Sequence, residues 1–239
     1  MPRIIMVATT MTTEAAAAWL YRLMAWLSPA YPVGAFSYSH GLEWAVEQRL
    51  VGDRSSLEDW LDDVLRHGGG RIDAILCAHA YAAAALGDRP TLVGLRDLGE
   101  ALAPTRELAL ETLSQGEAFR TTTLAAWPDL ERLAELLPDR LPAYPIAVGA
   151  AAAVAAIPML PALEAYLHAF VANLTSAGVR LIPLGQTDGQ RIVANLEPVC
   201  VEMAEAARLA PLDDLGTATL MVDWCSMRHE TQYTRLFRS

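Results

Sequence analysis

From Ala143 to Leu163 the chain carries no charged residue, yet Pro145, Pro158 and Pro161 punctuate the run and alanine fills much of it. A stretch this apolar must be shielded from water, either by lipid or by the rest of the protein. The prolines decide between the two. Each lacks the donor that a helix interior needs, so the run cannot cross a bilayer as one unbroken helix. Alanine contributes little transfer energy, and no arginine cluster marks a cytoplasmic flank. The run therefore predicts a helix buried in a tightly packed bundle, where small side chains let backbones approach closely.

Helical signals recur along the rest of the chain, and alternating strand patterns are nearly absent. Thr13 and Glu14 open an apolar stretch that runs to Leu27 and stops at Ser28-Pro29, and a Pro/Gly-rich turn follows from Pro29 to Gly34. Ser37 is placed to cap a helix through Glu43 and Trp44 to about Leu50. Ser55 and Glu58 have capping-box spacing before Leu57, Trp60, Leu61, Val64 and Leu65, which share one helical face. Gly68-Gly69-Gly70 reads as the stop. Further helices are expected from Arg71 to Leu86 with Gly87 closing, after Pro90, and from Pro104 with Leu108, Leu110, Leu113 and Phe119 as apolar positions. Trp127-Pro128 breaks the pattern before a short helix at 129–137. Pro145 and Pro161 start two more, the second reaching about Ile182. Pro183-Leu184-Gly185 is a joint, and Thr187 with Gln190 has capping-box spacing for a last long helix kinked at Pro198. The expectation is all-α: one domain of about ten helices in a compact bundle over residues 19–210. A disordered leader (1–18) precedes it, and a polar, aromatic-containing tail (211–239) follows.

The formal charge is −10, and all eighteen basic residues are arginine. An acidic chain without a basic run is a poor ligand for nucleic acid, whose affinity rests on neutralising phosphates. Its cationic contacts are forked guanidiniums suited to carboxylates. Cys77, Cys200 and Cys225 lie far apart and read as reduced thiols of a cytoplasmic protein. The motifs that carry chemistry are missing. A P-loop needs a lysine, and neither a G-x-S-x-G elbow nor an H-E-x-x-H pair occurs. Cys77 and His79 are two apart, on different helix faces, and read as a core thiol and a satisfied histidine. His168, in an apolar helix, reads the same way. His229-Glu230, between Arg228 and Tyr233 and outside the helical body, makes His229 a weak candidate for transient nickel contact, since imidazole suits nickel. No other metal ligand and no catalytic residue stands out. Arg106, Glu107 and Glu111 are open to two readings, a solvated or intrahelical charge set or charges buried at a dimer interface.

Two segments look unlike generic core: Ser28-Pro-Ala-Tyr-Pro-Val-Gly-Ala-Phe-Ser-Tyr-Ser-His-Gly-Leu-Glu43, and Arg180-Leu-Ile-Pro-Leu-Gly-Gln-Thr-Asp-Gly-Gln-Arg191. With Arg106-Glu107, Glu111, Thr112, Leu113, Gln115 and Gly116, and with the tail Met227-Arg-His-Glu-Thr-Gln-Tyr-Thr-Arg-Leu-Phe237, they resemble the urease accessory protein F (UreF) family. Four blocks in the right order, spanning about Leu20 to Ser239, carry the resemblance; the leader and 127–144 add nothing. The resemblance implies an all-α, commonly dimeric, non-catalytic protein. It implies joining a UreD/UreH-like accessory protein and a UreG-like GTPase on apo-urease, so that nickel reaches the active site. No cofactor is implied to bind stably, and nickel is handled transiently by the complex. Partner-binding residues are expected at Pro32, Gly34, Phe36, Tyr38 and Glu43 and in the tail at Arg228, His229, Glu230, Tyr233, Arg235, Leu236 and Phe237. Dimer or structural roles fall to Arg106, Glu107, Glu111, Gln115, Gly185, Gln186 and Asp188. The tail, short on apolar residues at helical spacing, is expected to order only on binding. The competing reading is a regulator that activates or restrains its partner's GTP hydrolysis, for instance through an arginine.

Overall fold

Proline, glycine and short polar side chains set the helix boundaries. In the computed structural model, which describes residues 13–137 and 142–239, α1 (Thr13–Trp26) stops before Ser28-Pro29. A turn and a 3-10 segment (Ala35–Ser37) lead to α2 (Leu42–Glu47). Then come α3 (Arg54–His67), α4 (Gly69–Leu86), α5 (Arg89–Ala101) and α6 (Arg106–Ala126). The chain continues through α7 (Glu131–Leu136), α8 (Tyr144–Val154), α9 (Met159–Leu181), α10 (Gln186–Leu209) and α11 (Leu220–His229). No strand occurs among the described residues, so the all-α expectation holds.

The uncharged run forms the centre of the bundle. Every residue of α8 from Pro145 to Ala152 is buried, and α8 packs on the alanine-lined face of α4. A Cβ at Gly149 would stand 2.3 Å from the Cys77 carbonyl oxygen, so only glycine permits this approach of the two helices. Around one end Trp26, Tyr31, Phe119 and Trp127 pack edge-on or tilted, with ring centroids 5.4 to 6.0 Å apart. Among the described residues no helix is long and apolar enough to cross a membrane.

Several boundaries differ from the sequence expectations. Asp53, not Ser55, caps α3: its carboxylate accepts from the Ser56 N–H, and the helix starts at Arg54. Gly41, with φ of 75°, precedes α2, so Ser37 is no cap. Gly185 opens α10 without a side-chain cap, although Pro198 lies inside the helix as expected. The leader expected over 1–18 overlaps α1 at Thr13 and beyond, and residues 1–12 lie outside the described ones. His79 is satisfied, as expected, through the Ala210 carbonyl (2.9 Å). His168 is exposed rather than core, because α9 turns that face outward. Phe36 is 67% exposed.

The largest departure is the tail. Residues expected to lack structure until a partner binds are packed on the body, with α11 burying Val222, Cys225, Ser226 and His229. Helical spacing was a poor guide because this segment is held mainly by polar contacts to residues far away in sequence.

Candidate functional site

The tail docks where the 39–43 turn meets the start of α6. Gly41 allows the approach: a Cβ there would lie 2.5 Å from the Ser226 amide nitrogen, and φ of 75° already favours glycine. Thr105, the cap of α6, shares a hydrogen bond of 2.9 Å with the Ser226 hydroxyl. Glu230 then caps the same helix from outside, its carboxylate accepting from the Arg106 N–H at 2.8 Å. An acidic group at a helix N-terminus is favoured by the orphan amides and the helix dipole.

Two buried carboxylates hold the chain beyond α11. Glu43 accepts from the backbone N–H groups of Leu236 (2.6 Å) and Phe237 (2.8 Å). It also meets His229 Nε2 at 3.2 Å, while His229 Nδ1 meets Glu107 at 2.6 Å. Arg235 closes this group by donating to the other Glu107 oxygen at 2.5 Å. The second carboxylate, Glu111, accepts from His40 Nε2 (2.8 Å), Gln115 (3.0 Å) and the Ser239 hydroxyl (2.7 Å). Ser39 grips the Ser239 carbonyl with its backbone N–H (3.1 Å) and hydroxyl (2.5 Å). Phe237 is buried beneath the Arg180 guanidinium, 4.4 Å from the ring centroid.

Behind Glu111 lies a cavity of about 280 Å³, lined in part by His40, Asp73, Tyr144, Tyr166 and Phe170. The Tyr166 hydroxyl donates to Asp73 at 2.7 Å. Burial is the main reason that Asp73 is pushed up to about 6, since the charged form loses its water. For His40 burial acts the other way, but the Glu111 charge and hydrogen bond, with Asp73 adding charge, raise it above its ordinary value.

Most of the expected partner residues come together here, in two layers. Glu43, Tyr38, His229 and Phe237 are inside and hold the segment. Pro32, Phe36, Arg228, Glu230, Tyr233, Arg235 and Leu236 are exposed, and Gly34 is half-buried. His229 is corrected as a metal candidate: it is fully buried with both ring nitrogens engaged. Among the described residues no group of three or more metal-ligating side chains is set to hold an ion. Glu107, Glu111 and Gln115 bond within the chain, Glu111 and Gln115 to each other along α6, which is the structural role among those expected of them. Arg106 has an exposed side chain. Gly185, Gln186 and Asp188 lie at the α10 start, where Asp188 pairs with Arg191 at 3.0 Å. The sequence reading missed His40, Ser39 and Ser239. The one local sign was His40 preceding a glycine, since its own φ is 54°.

The outer face also gains residues that periodicity did not single out. Leu220, Met221, Trp224 and Met227 of α11 are about half exposed or more. The Arg228 guanidinium lies 5.9 Å from the ring centroids of both Trp44 and Trp224. With Tyr233 and Leu236 they make an apolar and cationic surface on an acidic protein.

Sequence comparison finds relatives that cover almost the whole chain. A sequence model described as UreF matches residues 51–197. The urease accessory protein UreF of Rhodopseudomonas palustris (strain BisB5) is 53% identical over 222 residues, 92% of this chain and 91% of that protein. The namesake of Methylobacterium sp. (strain 4-46) is 54% identical over 219 residues, covering 91% of this chain and 87% of its own length. That of Bradyrhizobium diazoefficiens is 52% identical over 225 residues, 93% of each. The residues matched by the family model include neither the 32–43 turn nor the tail.

Proposed function

The chain belongs to the urease accessory protein UreF family, and from that membership we propose that it is a bridge in urease maturation. As a UreF it is an accessory protein and not an enzyme. The bridge joins a UreD/UreH-like protein and a UreG-like GTPase on apo-urease in the cytoplasm, and the assembly inserts nickel into the active site. A homodimer is part of the same reading. The observation that carries it is the docked tail, whose outer face presents Trp224, Met227, Arg228, Tyr233, Arg235 and Leu236. Aromatic residues, Met and Arg are the types that dominate interface energetics.

The test is a urease-positive host that lacks this gene. Restoring the full chain is expected to restore urease activity, and a chain truncated at about Pro211 is expected to lose both activity and co-purification with the UreD-like protein. Undiminished binding by the truncated chain would remove the tail from the interface. Normal urease activity without the gene would remove the maturation role.

Exposure of Arg228 favours a second reading, control of the partner's GTP hydrolysis, because an arginine at an interface can stabilise charge on a transferring phosphoryl group. Arg228→Ala is then expected to change GTP turnover by the UreG-like partner about tenfold or more with assembly intact. Loss of assembly with unchanged turnover per complex would assign Arg228 to adhesion alone.

A further inference from the structure

Ser239, Glu111 and His40 form one hydrogen-bonded group and Asp73 and Tyr166 another, and the charges of His40 and Asp73 act on each other at the cavity wall. We propose that His40, Glu111 and Asp73 are a proton-operated latch on the C-terminal segment, closed while His40 is protonated and loosened when it is not. The latch stands on contacts within the chain and does not depend on the partner reading.

The geometry makes His40 the hinge. Its backbone is left-handed, φ 54°, a conformation that costs a non-glycine residue about 1 kcal/mol or more and persists only when its surroundings enforce it. Enforcement comes from the tail, because Ser239 contacts the Ser39 N–H, the Ser39 hydroxyl and the His40 N–H. Ser239 in turn is held by Glu111, the carboxylate that His40 bonds. The turn and the tail therefore stabilise each other through one acidic side chain.

The groups around His40 leave few alternatives for the proton. Glu111 of α6 and Asp73 of α4 act on His40 directly, Cys77 of α4, Tyr144 of α8 and Tyr166 of α9 surround Asp73, and the Phe170 ring lies edge-on to the imidazole. On the α2 side Glu43 lies one turn beyond His40, with His229 behind it. Arg238 sits over Tyr38, away from the cavity. Burial raises Cys77, Tyr144 and Tyr166, so all three stay neutral through the physiological range. A neutral His40 leaves Glu111 and Asp73 facing each other with no countercharge, an arrangement that low-dielectric surroundings penalise strongly. Opening the tail admits water to Glu111 and relieves that repulsion.

Both shifts give the same sign. His40 is raised from 6.5 in the folded chain, so its contribution is complete below 6.5 and is lost as pH climbs through the raised value. Asp73 is raised from 3.8 to about 6, so its contribution is complete below 3.8 and is already lost as pH passes 6. The tail should hold at mildly acidic pH and loosen on the alkaline side.

Hydrogen exchange of the full-length chain from about pH 5.5 to about pH 9, corrected for intrinsic rates, tests this. Protection of the Phe237 and Arg238 amides is expected to fall about tenfold across that range, while α8 amides keep theirs. Glu111→Gln, which retains an acceptor for Ser239 and removes the charge, should flatten the profile. His40→Asn, a residue that tolerates the left-handed backbone, should give a loosened tail at every pH. A flat wild-type profile would overturn the latch even if neither variant folds. So would a Glu111→Gln profile as steep as the wild type, since the titrating group would then lie elsewhere. Failure of the latch leaves the urease complementation result standing, and the reverse is also true.

Discussion

Gly149→Ala is expected to destabilise the protein by about 3 kcal/mol, at the upper end of the usual overpacking cost. The added Cβ would meet the Cys77 carbonyl oxygen at 2.3 Å and the Cys77 carbonyl carbon at 3.1 Å. Both contacts are backbone atoms of a helix, so no side chain can swing aside. α8 is enclosed on every side over Pro145–Ala152, and pushing it away from α4 would open space throughout the alanine-lined contact. Gly94 of α5 is the control, because a Cβ there meets nothing within 4 Å. Gly94→Ala should gain about 0.5–1 kcal/mol from helix propensity and reduced unfolded-state entropy. Urea unfolding of both variants measures the difference. Equal stability of Gly149→Ala and wild type would mean that α4 and α8 are not locked at this crossing.

Glu43→Ala is expected to release the tail while leaving the helical body folded. The substitution orphans the Leu236 and Phe237 N–H groups and takes one carboxylate from His229, which is fully buried. Breaking a buried, hydrogen-bonded charge contact costs about 3 kcal/mol or more, because the remaining groups stay desolvated. Local opening of the tail should therefore become about 100-fold more frequent. Hydrogen exchange at Leu236 and Phe237 reads this directly, with α4 and α8 amides as internal reference. Glu43→Gln keeps one acceptor oxygen and should fall between the two. Unchanged protection of the tail in Glu43→Ala would mean that Phe237 burial and the Ser39–Ser239 contacts suffice.

The bundle was legible where local chemistry dictates it. Pro145 and the small residues after it announced α8, Gly87 ended α4 as its left-handed φ of 73° requires, and Trp127-Pro128 broke α6 as expected. Caps were read less well because several candidates compete within one turn. Asp53 displaced Ser55, since an extended residue one position before the helix presents its carboxylate to the third amide. Gly41 and Gly185 open helices through backbone shape alone, with no side-chain signal to find.

The site was legible as a set of residues and not as an arrangement. Glu43, Glu107, Glu111, Arg235 and Phe237 were all singled out, Glu43, Arg235 and Phe237 as surfaces for partners and Glu107 and Glu111 for dimer or structural roles. The His40–Glu111 pair spans 71 positions and His229–Glu43 spans 186, and no periodicity links such distant residues. The same cause hid α11: its buried positions are anchored by Gly41 and Thr105 rather than by an apolar stripe.

The grip of Ser39 on Ser239 joins residues 200 apart, which has a consequence for the order of events at the ribosome. At synthesis rates of about 5–20 residues per second, the 39–43 turn waits roughly 10–40 s for the segment that completes it. During that interval Glu43 lacks the Leu236 and Phe237 N–H donors. Completion of this turn is thus tied to residues made 200 positions after it, and a nascent chain cannot present the finished tail surface before its body exists.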